Sequence, residues 1–228
     1  VEESFSTQQQ IPNVEESSST QQIPDLIDSL LPKYIELSNE IESKSILRLN
    51  PSDDAFVAKN LNENTLDRMP VSNFGNEDKF VVFYSHNDTE FNEFIVSPSF
   101  MKFSLPNIEH EIISAQLKIF ATKTILENPE KIINIYSVDD DWNELDITYL
   151  NKPDYSEEPI SQTAIVDELT WYAWDLTDYV KSNLGQEMSL AINFDETSGK
   201  KEQVSFHSTE STQESLIPYL EIKYLSEN

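Results

Sequence analysis

The stretch that decides the fold spans residues 113–121 and reads Ile-Ser-Ala-Gln-Leu-Lys-Ile-Phe-Ala. Two sets of residues alternate along it: Ile113, Ala115, Leu117, Ile119 and Ala121 against Ser114, Gln116, Lys118 and Phe120. A period of two is typical of a strand that turns one face to a core. The same alternation recurs over residues 101–105, 188–194 and 220–224, so the pattern predicts several half-buried strands.

Turn-forming residues separate these segments at positions 73–76, 128–129, 151–153 and 198–199. A single brief helix is predicted around residues 179–182, with Asp175 as its N-cap. The chain shows no alternation of strands with long helices. We therefore predict an all-β fold: a jelly-roll-like sandwich of two antiparallel sheets, with one short helix and an extended N-terminal arm.

The N-terminal segment contains a repeat of residues 1–13 in residues 14–25. The second copy has serine in place of Phe5, lacks one glutamine, and ends in aspartate where the first ends in asparagine. Segments this polar cannot bury enough apolar area to offset the entropy of ordering. An apolar pattern at helical spacing follows over residues 24–41. We assign residues 1–43 to an arm and linker and residues 44–228 to the sandwich domain.

Charge narrows the range of partners. The chain carries 42 acidic and 15 basic residues, a formal net charge of −27. Nucleic acids are excluded as partners, because binding to them depends on lysine and arginine neutralising phosphates. No apolar run reaches the roughly 20 residues that a transmembrane helix needs. Because the sequence starts at Val1 and not at methionine, we expect a processed product, with a proteolytic fragment as the alternative, and an extracellular or cell-surface location.

Motifs of catalysis are missing from the sequence. The histidines His86, His110 and His207 are isolated, and we expect His207 on the surface of a strand. A glycosidase would need two carboxylates about 5–10 Å apart in a cleft, and no motif singles out such a pair. We therefore predict that the chain is not an enzyme and requires no cofactor.

Calcium is the one metal for which the sequence offers candidates. Asp139, Asp140 and Asp141 open a segment that resembles an EF-hand loop, but Glu144 and Leu150 occupy the positions that need glycine and glutamate. A looser Ca²⁺ site on these aspartates, or on 53–54, stays open. The alternative, which we favour, is a solvated turn.

Aromatic residues are candidates for sugar binding, since flat rings stack on pyranose faces. We select Trp171, Tyr172 and Tyr155. Trp171 and Trp174 fall on opposite faces of any strand over 170–175, so at least one belongs to the core. We assign Trp174 and Trp142 to structural roles.

Several motifs occur together in one order between residues 45 and 225: 53–57, 72–75, 99–103, 113–117, 141–144 with 151–153, 174–177, 206–210 and 218–221. In this order they resemble DNRLRE-type domains, which are related to disaggregatase-related domains and to a group of carbohydrate-binding modules. Asp141-Trp142 with Glu144, followed by Asn151 and Pro153, is similar to that family's hairpin motif. The resemblance implies a jelly-roll-like β-sandwich of the kind found in exported, surface-attached or polysaccharide-associated proteins, usually without catalytic activity.

Two functions remain open. The first is a structural subunit whose arm adds as a strand to the next copy, giving a head-to-tail polymer. The arm residues that would enter pockets on the neighbouring copy are Phe5, Ile11, Val14, Ile23, Leu26 and Ile27. The alternative is a carbohydrate-binding module whose partner is a polysaccharide. The sequence does not say whether the N-glycosylation sequon at Asn87 is used.

Overall fold

The structure, a computed structural model, describes residues 43–60, 71–87, 93–127, 130–194 and 201–226. The six predicted arm residues, from Phe5 to Ile27, lie outside these ranges. So does most of the Asn87 sequon, and the side chain of Asn87 itself is not described. Within the described ranges no helix is long and apolar enough to cross a membrane.

Thirteen strands and one α-helix make up the described part of the chain. The strands are β1 (Ser43–Leu49), β2 (Asp53–Phe56), β3 (Lys59–Asn60), β4 (Lys79–Asn87), β5 (Glu93–Ser97), β6 (Ser99–Ser104), β7 (Ile112–Ile125), β8 (Lys131–Val138), β9 (Ser161–Ile165), β10 (Thr170–Asp175), β11 (Glu187–Phe194), β12 (Lys201–His207) and β13 (Tyr219–Ser226). The helix α1 spans Thr177–Ser182, and a single 3₁₀ turn spans Glu214–Leu216.

The strands form two antiparallel sheets. The larger has the order β1-β13-β7-β12-β4-β5-β3, with β10 paired to the other edge of β7. The smaller has the order β2-β6-β11-β8-β9. The predicted all-β, two-sheet sandwich with one short helix is thereby confirmed.

The core between the sheets follows the predicted alternation. Ala115, Leu117, Ile119 and Ala121 are fully buried, as are the inward residues of β11 and β13. Trp174 of β10 crosses this core, and its indole N–H donates to the carbonyl of Ile133 in the smaller sheet, 2.9 Å away. The structure therefore confirms the predicted structural role of Trp174.

Ile113 departs from the alternation, since it is exposed while its neighbour Ile112 is buried. A bulge explains the exchange: pairing with β13 shifts register between Lys223 and Tyr224, which reverses the faces at the start of β7.

A second, smaller core lies on the outer face of the smaller sheet. The segment 139–156, here called the covering segment, places Trp142 and Ile147 against Phe100 and Ala191. Trp142 is buried there and donates its indole N–H to Ser189 at 3.2 Å, which agrees with its predicted structural role.

The helix α1 begins at Thr177, two residues before the predicted 179–182, but its N-cap lies one residue later than the predicted Asp175. Leu176 is its N-cap and makes no side-chain capping bond. Asp175, the predicted N-cap, instead accepts hydrogen bonds from the amide and the hydroxyl of Thr177, at 3.0 and 2.6 Å. The carboxylate therefore stabilises the first turn from the end of β10.

Candidate functional site

Three aromatic side chains meet on the outer face of the larger sheet. Trp171 of β10 pairs directly with Phe120 of β7, and their ring centroids lie 5.5 Å apart at 77°. Tyr219 of β13, on the other side of β7, lies 5.3 Å from the Trp171 ring at 62°. We call Phe120, Trp171 and Tyr219 the aromatic platform. All three are half-buried, so part of each ring stays accessible.

Cationic side chains border the aromatic platform. The Arg48 guanidinium lies 4.8 Å from the centroid of the Tyr219 ring, and Lys118 stands opposite Tyr219 in the strand register. Arg48 and Lys223 both pair with Glu221, at 2.8 and 3.4 Å. Burial alone would raise the pKa of the Glu221 carboxyl, but hydrogen bonds from Arg48 and Lys223 outweigh it and the pKa is lowered. The carboxylate therefore stays ionised and holds the Arg48 guanidinium beside the Tyr219 ring.

His207 supports the platform from β12. Its ring lies 5.9 Å from Phe120, and its Nδ1 is 2.7 Å from the hydroxyl of Ser211. Burial, helped by nearby Lys79, lowers the pKa of the imidazole, which is therefore neutral at pH 7. The expectation of a surface histidine is wrong, because the neighbouring Phe120 ring and the loop carrying Ser211 cover it.

The structure does not bring the three predicted sugar contacts together. Trp171 lies in the platform, but Tyr172 faces the core, and its hydroxyl bonds the backbone of residues 166 and 167 at 2.8–3.1 Å. Tyr155 lies on the smaller sheet, stacked on Tyr136 with a centroid distance of 5.5 Å. Burial raises the pKa of Tyr155, in keeping with its place in the second core.

Sequence reasoning missed Phe120 and Tyr219. The signal that could have identified Phe120 is its position: it belongs to the set of residues in 113–121 that alternates with the apolar, core-facing set. An aromatic residue on a solvent-facing strand position is exposed unless another element covers it. Tyr219 holds the same phase relative to Leu220 and Ile222, but only the strand pairing shows that the two rings share one surface.

A carboxylate cluster occupies a second place in the fold. Oxygen atoms of Asp54, Glu144 and Glu210 lie within 4.8 Å of one another, at a junction of β2, the covering segment and the loop after β12. Asp54 is buried and accepts a hydrogen bond from the Thr209 amide at 2.8 Å. Burial raises its pKa to about 7, and the charges of Glu210 and Glu144 add to the effect. The cluster therefore favours a proton or an added positive charge.

The predicted calcium ligands are elsewhere. Asp139, Asp140 and Asp141 are exposed at the start of the covering segment, as expected for a solvated turn. Among the described residues, the acidic side chains that converge are those of the carboxylate cluster. Its three carboxylates carry six oxygens between them, the lower limit of the six to eight that Ca²⁺ takes, and Asp54 and Glu144 already accept hydrogen bonds from backbone amides. The absence of a cofactor requirement and the open Ca²⁺ site both stay predictions.

The described domain thus combines an antiparallel sandwich with half-buried aromatic rings and a few polar groups on one outer face. Residues 45–224 match the sequence model of carbohydrate-binding module family 96, and the chain belongs to this family. The family match confirms that the domain is a binding module. The more specific relation to DNRLRE-type domains stays a prediction.

The chain is also similar to a gellan lyase from a Bacillus species. The two are 27% identical over 179 residues, which cover 75% of this chain. That stretch is 6% of the lyase's length. The similarity therefore concerns a small part of a much larger protein.

Proposed function

We propose that this domain binds a polysaccharide on the outer face of its larger sheet, through the aromatic platform. The observation that carries the proposal is the meeting of Phe120, Trp171 and Tyr219 as half-buried rings on the outer face of the larger sheet. Membership of a carbohydrate-binding family supplies the ligand class.

The surroundings of the rings suit a sugar chain. Hydroxyl groups need hydrogen-bond partners once they leave water, and Arg48 and Lys118 supply donors at the edge of the platform. Three neighbouring strands carry the rings, so the ligand meets a rigid surface rather than a loop. Rigid aromatic anchors lose little entropy on binding.

The first test is affinity electrophoresis in gels that contain gellan, followed by a panel of charged and neutral polysaccharides. Gellan comes first because the similar lyase is named for it. We expect at least one polysaccharide to retard the protein. The substitutions Trp171→Ala and Tyr219→Ala should each weaken retention, by about tenfold in Kd for the tryptophan.

Tyr149→Ala is the matched control, since Tyr149 is a half-buried aromatic residue of the covering segment. This variant should bind as the wild type does. Circular dichroism and thermal unfolding would show that each variant is folded. Retention of a folded Trp171→Ala variant equal to that of the wild type would contradict the proposed surface.

The self-assembly hypothesis has less support. It rests on residues 1–43, of which all but the last lie outside the described ranges, and the family match favours the binding module instead. It stays a prediction, as does the extracellular location that a polysaccharide ligand would suit. Sedimentation of the full chain beside a chain lacking residues 1–24 would test it, because an assembling arm predicts larger species only with the arm present.

A further inference from the structure

The turn between β9 and β10 contains a backbone feature that is unusual for its residue type. Leu169 has φ = +57°, the left-handed region that glycine and asparagine favour. Among the described non-glycine residues, Leu169 is the one with positive φ. Its side chain is also 69% exposed.

This conformation is built into the turn. The Leu169 amide donates to the carbonyl of Ala121 at 2.8 Å. The buried hydroxyl of Tyr172 accepts from the amides of Val166 and Asp167 and donates to the Asp167 carbonyl. The turn is therefore held at both ends, and residue 169 is fixed in the left-handed region whatever its side chain.

Leucine is a costly choice at such a position. A non-glycine residue in the left-handed region is disfavoured by contact between its β-carbon and the backbone, and asparagine tolerates this region better. An exposed leucine gains nothing from the hydrophobic effect, because it stays in water. Both terms favour a small polar residue, so the stability of the free domain does not account for Leu169.

The position of Leu169 next to the aromatic platform offers a reason for the leucine. The residue immediately precedes β10 and lies two positions before Trp171, about 7 Å along a strand. Its backbone partner Ala121 is the neighbour of Phe120, the cross-strand partner of Trp171. A sugar chain stacked on Trp171 and running along β10 would reach the turn with its next unit. Val166, at the other end of the same turn, is 47% exposed and adds aliphatic surface.

We infer that Leu169 is a ligand-contact residue, kept at a cost to stability, that packs on the apolar C–H face of the sugar unit next to the one on Trp171. This inference rests on the proposed function. It predicts that one substitution at position 169 raises the stability of the domain and weakens its binding. A residue with only a structural role would not show this combination.

The test is Leu169→Asn, with Leu169→Gly as a second variant. We expect Leu169→Asn to raise Tm by about 2 °C, because the backbone strain is relieved. The same variant should weaken binding about three- to tenfold, measured by calorimetry with the polysaccharide that retains the wild type in gels. Leu145→Asn is the control: Leu145 is 56% exposed in the covering segment, without positive φ, and its substitution should leave binding unchanged.

The outcomes separate the two ideas. If Trp171→Ala abolishes binding while both Leu169 variants bind like the wild type, the inference fails and the proposed function stands. If Leu169→Asn lowers Tm, the residue is structural and the inference also fails. If no polysaccharide in the panel retains the wild type, the proposed function and the inference fall together.

Discussion

At the scale of single residues, Asp54 is the group whose protonation the fold most clearly alters. It is 1% exposed and shares its pocket with Glu144 and Glu210. Burial also raises the pKa of Glu144, to which the charges of Glu210 and Asp53 contribute. The fold therefore places negative charges together in a site that water hardly reaches.

A pH-dependent stability follows from the raised pKa of Asp54. The folded pKa of about 7 exceeds the unfolded value of 3.8, so the folded state binds the proton more tightly. The corresponding stability is fully present below pH 3.8 and is lost as the pH rises through 7. Asp54→Asn cannot ionise, so between pH 4 and pH 8 it should gain stability relative to the wild type, by about 4 kcal/mol at most.

Urea denaturation at pH 4 and at pH 8 measures this difference. Asp141→Asn, which changes an exposed aspartate of the covering segment, is the control and should show no such gain. A constant difference between the Asp54→Asn variant and the wild type at both pH values would contradict the assignment.

Lys131 and Glu202 form a buried ion pair between the two sheets. The Lys131 ammonium lies 3.0 Å from a Glu202 oxygen, and the two side chains are 8% and 0% exposed. Removing one partner leaves a buried charge without compensation. Lys131→Met alone should therefore lower the free energy of unfolding by about 3–5 kcal/mol.

The double variant Lys131→Met, Glu202→Leu is the informative comparison. Since it removes both charges and keeps apolar volume, its stability should lie close to that of the wild type. Denaturant unfolding of the three proteins provides the measurement. If the double variant were as unstable as Lys131→Met alone, the loss of stability would come from the changed side-chain shapes and not from the unpaired charge.

At the scale of elements, residues 73–75 hold the covering segment in place through direct contacts with its backbone. The Asn73 side-chain amide donates to the carbonyls of Glu144 and Ile147 at 2.6 and 2.8 Å. Gly75 is so close that an added β-carbon would overlap the Glu144 carbonyl oxygen. Trp142 and the second core depend on this contact.

Gly75→Ala should therefore destabilise the domain by about 1–3 kcal/mol, the usual cost of overpacking. The neighbouring exposed residue supplies the control, and Asn76→Ala should stay within about 0.5 kcal/mol of the wild type. Denaturation followed by tryptophan fluorescence would measure both. An unchanged midpoint for Gly75→Ala would mean that the covering segment can shift away at little cost.

The elements differ in how far the sequence predicts them. Alternation at residues 113–121 predicts β7 and its buried face, because side-chain direction in a strand follows from sequence position alone. The bulge opposite Ile113 is not visible in that pattern, since it arises from pairing with β13. For the same reason, the sequence predicts one of the three residues of the aromatic platform. Trp171 is a candidate by its residue type, but its neighbours Phe120 and Tyr219 belong to strands that are distant in sequence. The carboxylate cluster likewise joins residues 54, 144 and 210, whose approach depends on the whole fold.

At the scale of the whole molecule, the platform contrasts with the charge of the chain. The net charge is −27, yet Arg48 and Lys118 lie at the edge of the aromatic rings. An acidic surface keeps a protein soluble and repels non-specific anionic partners. The proposed sugar chain would therefore meet hydrogen-bond donors beside the rings of the platform, although Lys152 also lies over Tyr149 and Tyr155 on the covering segment.

The most direct test of that claim is a tryptophan fluorescence titration. Of the three tryptophans, Trp142 and Trp174 are buried, and Trp171 alone reaches the surface. Adding the polysaccharide retained in gels should change the emission of the wild type, and the change should vanish in Trp171→Phe. An equal change in both proteins, or none in the wild type, would contradict binding on the aromatic platform.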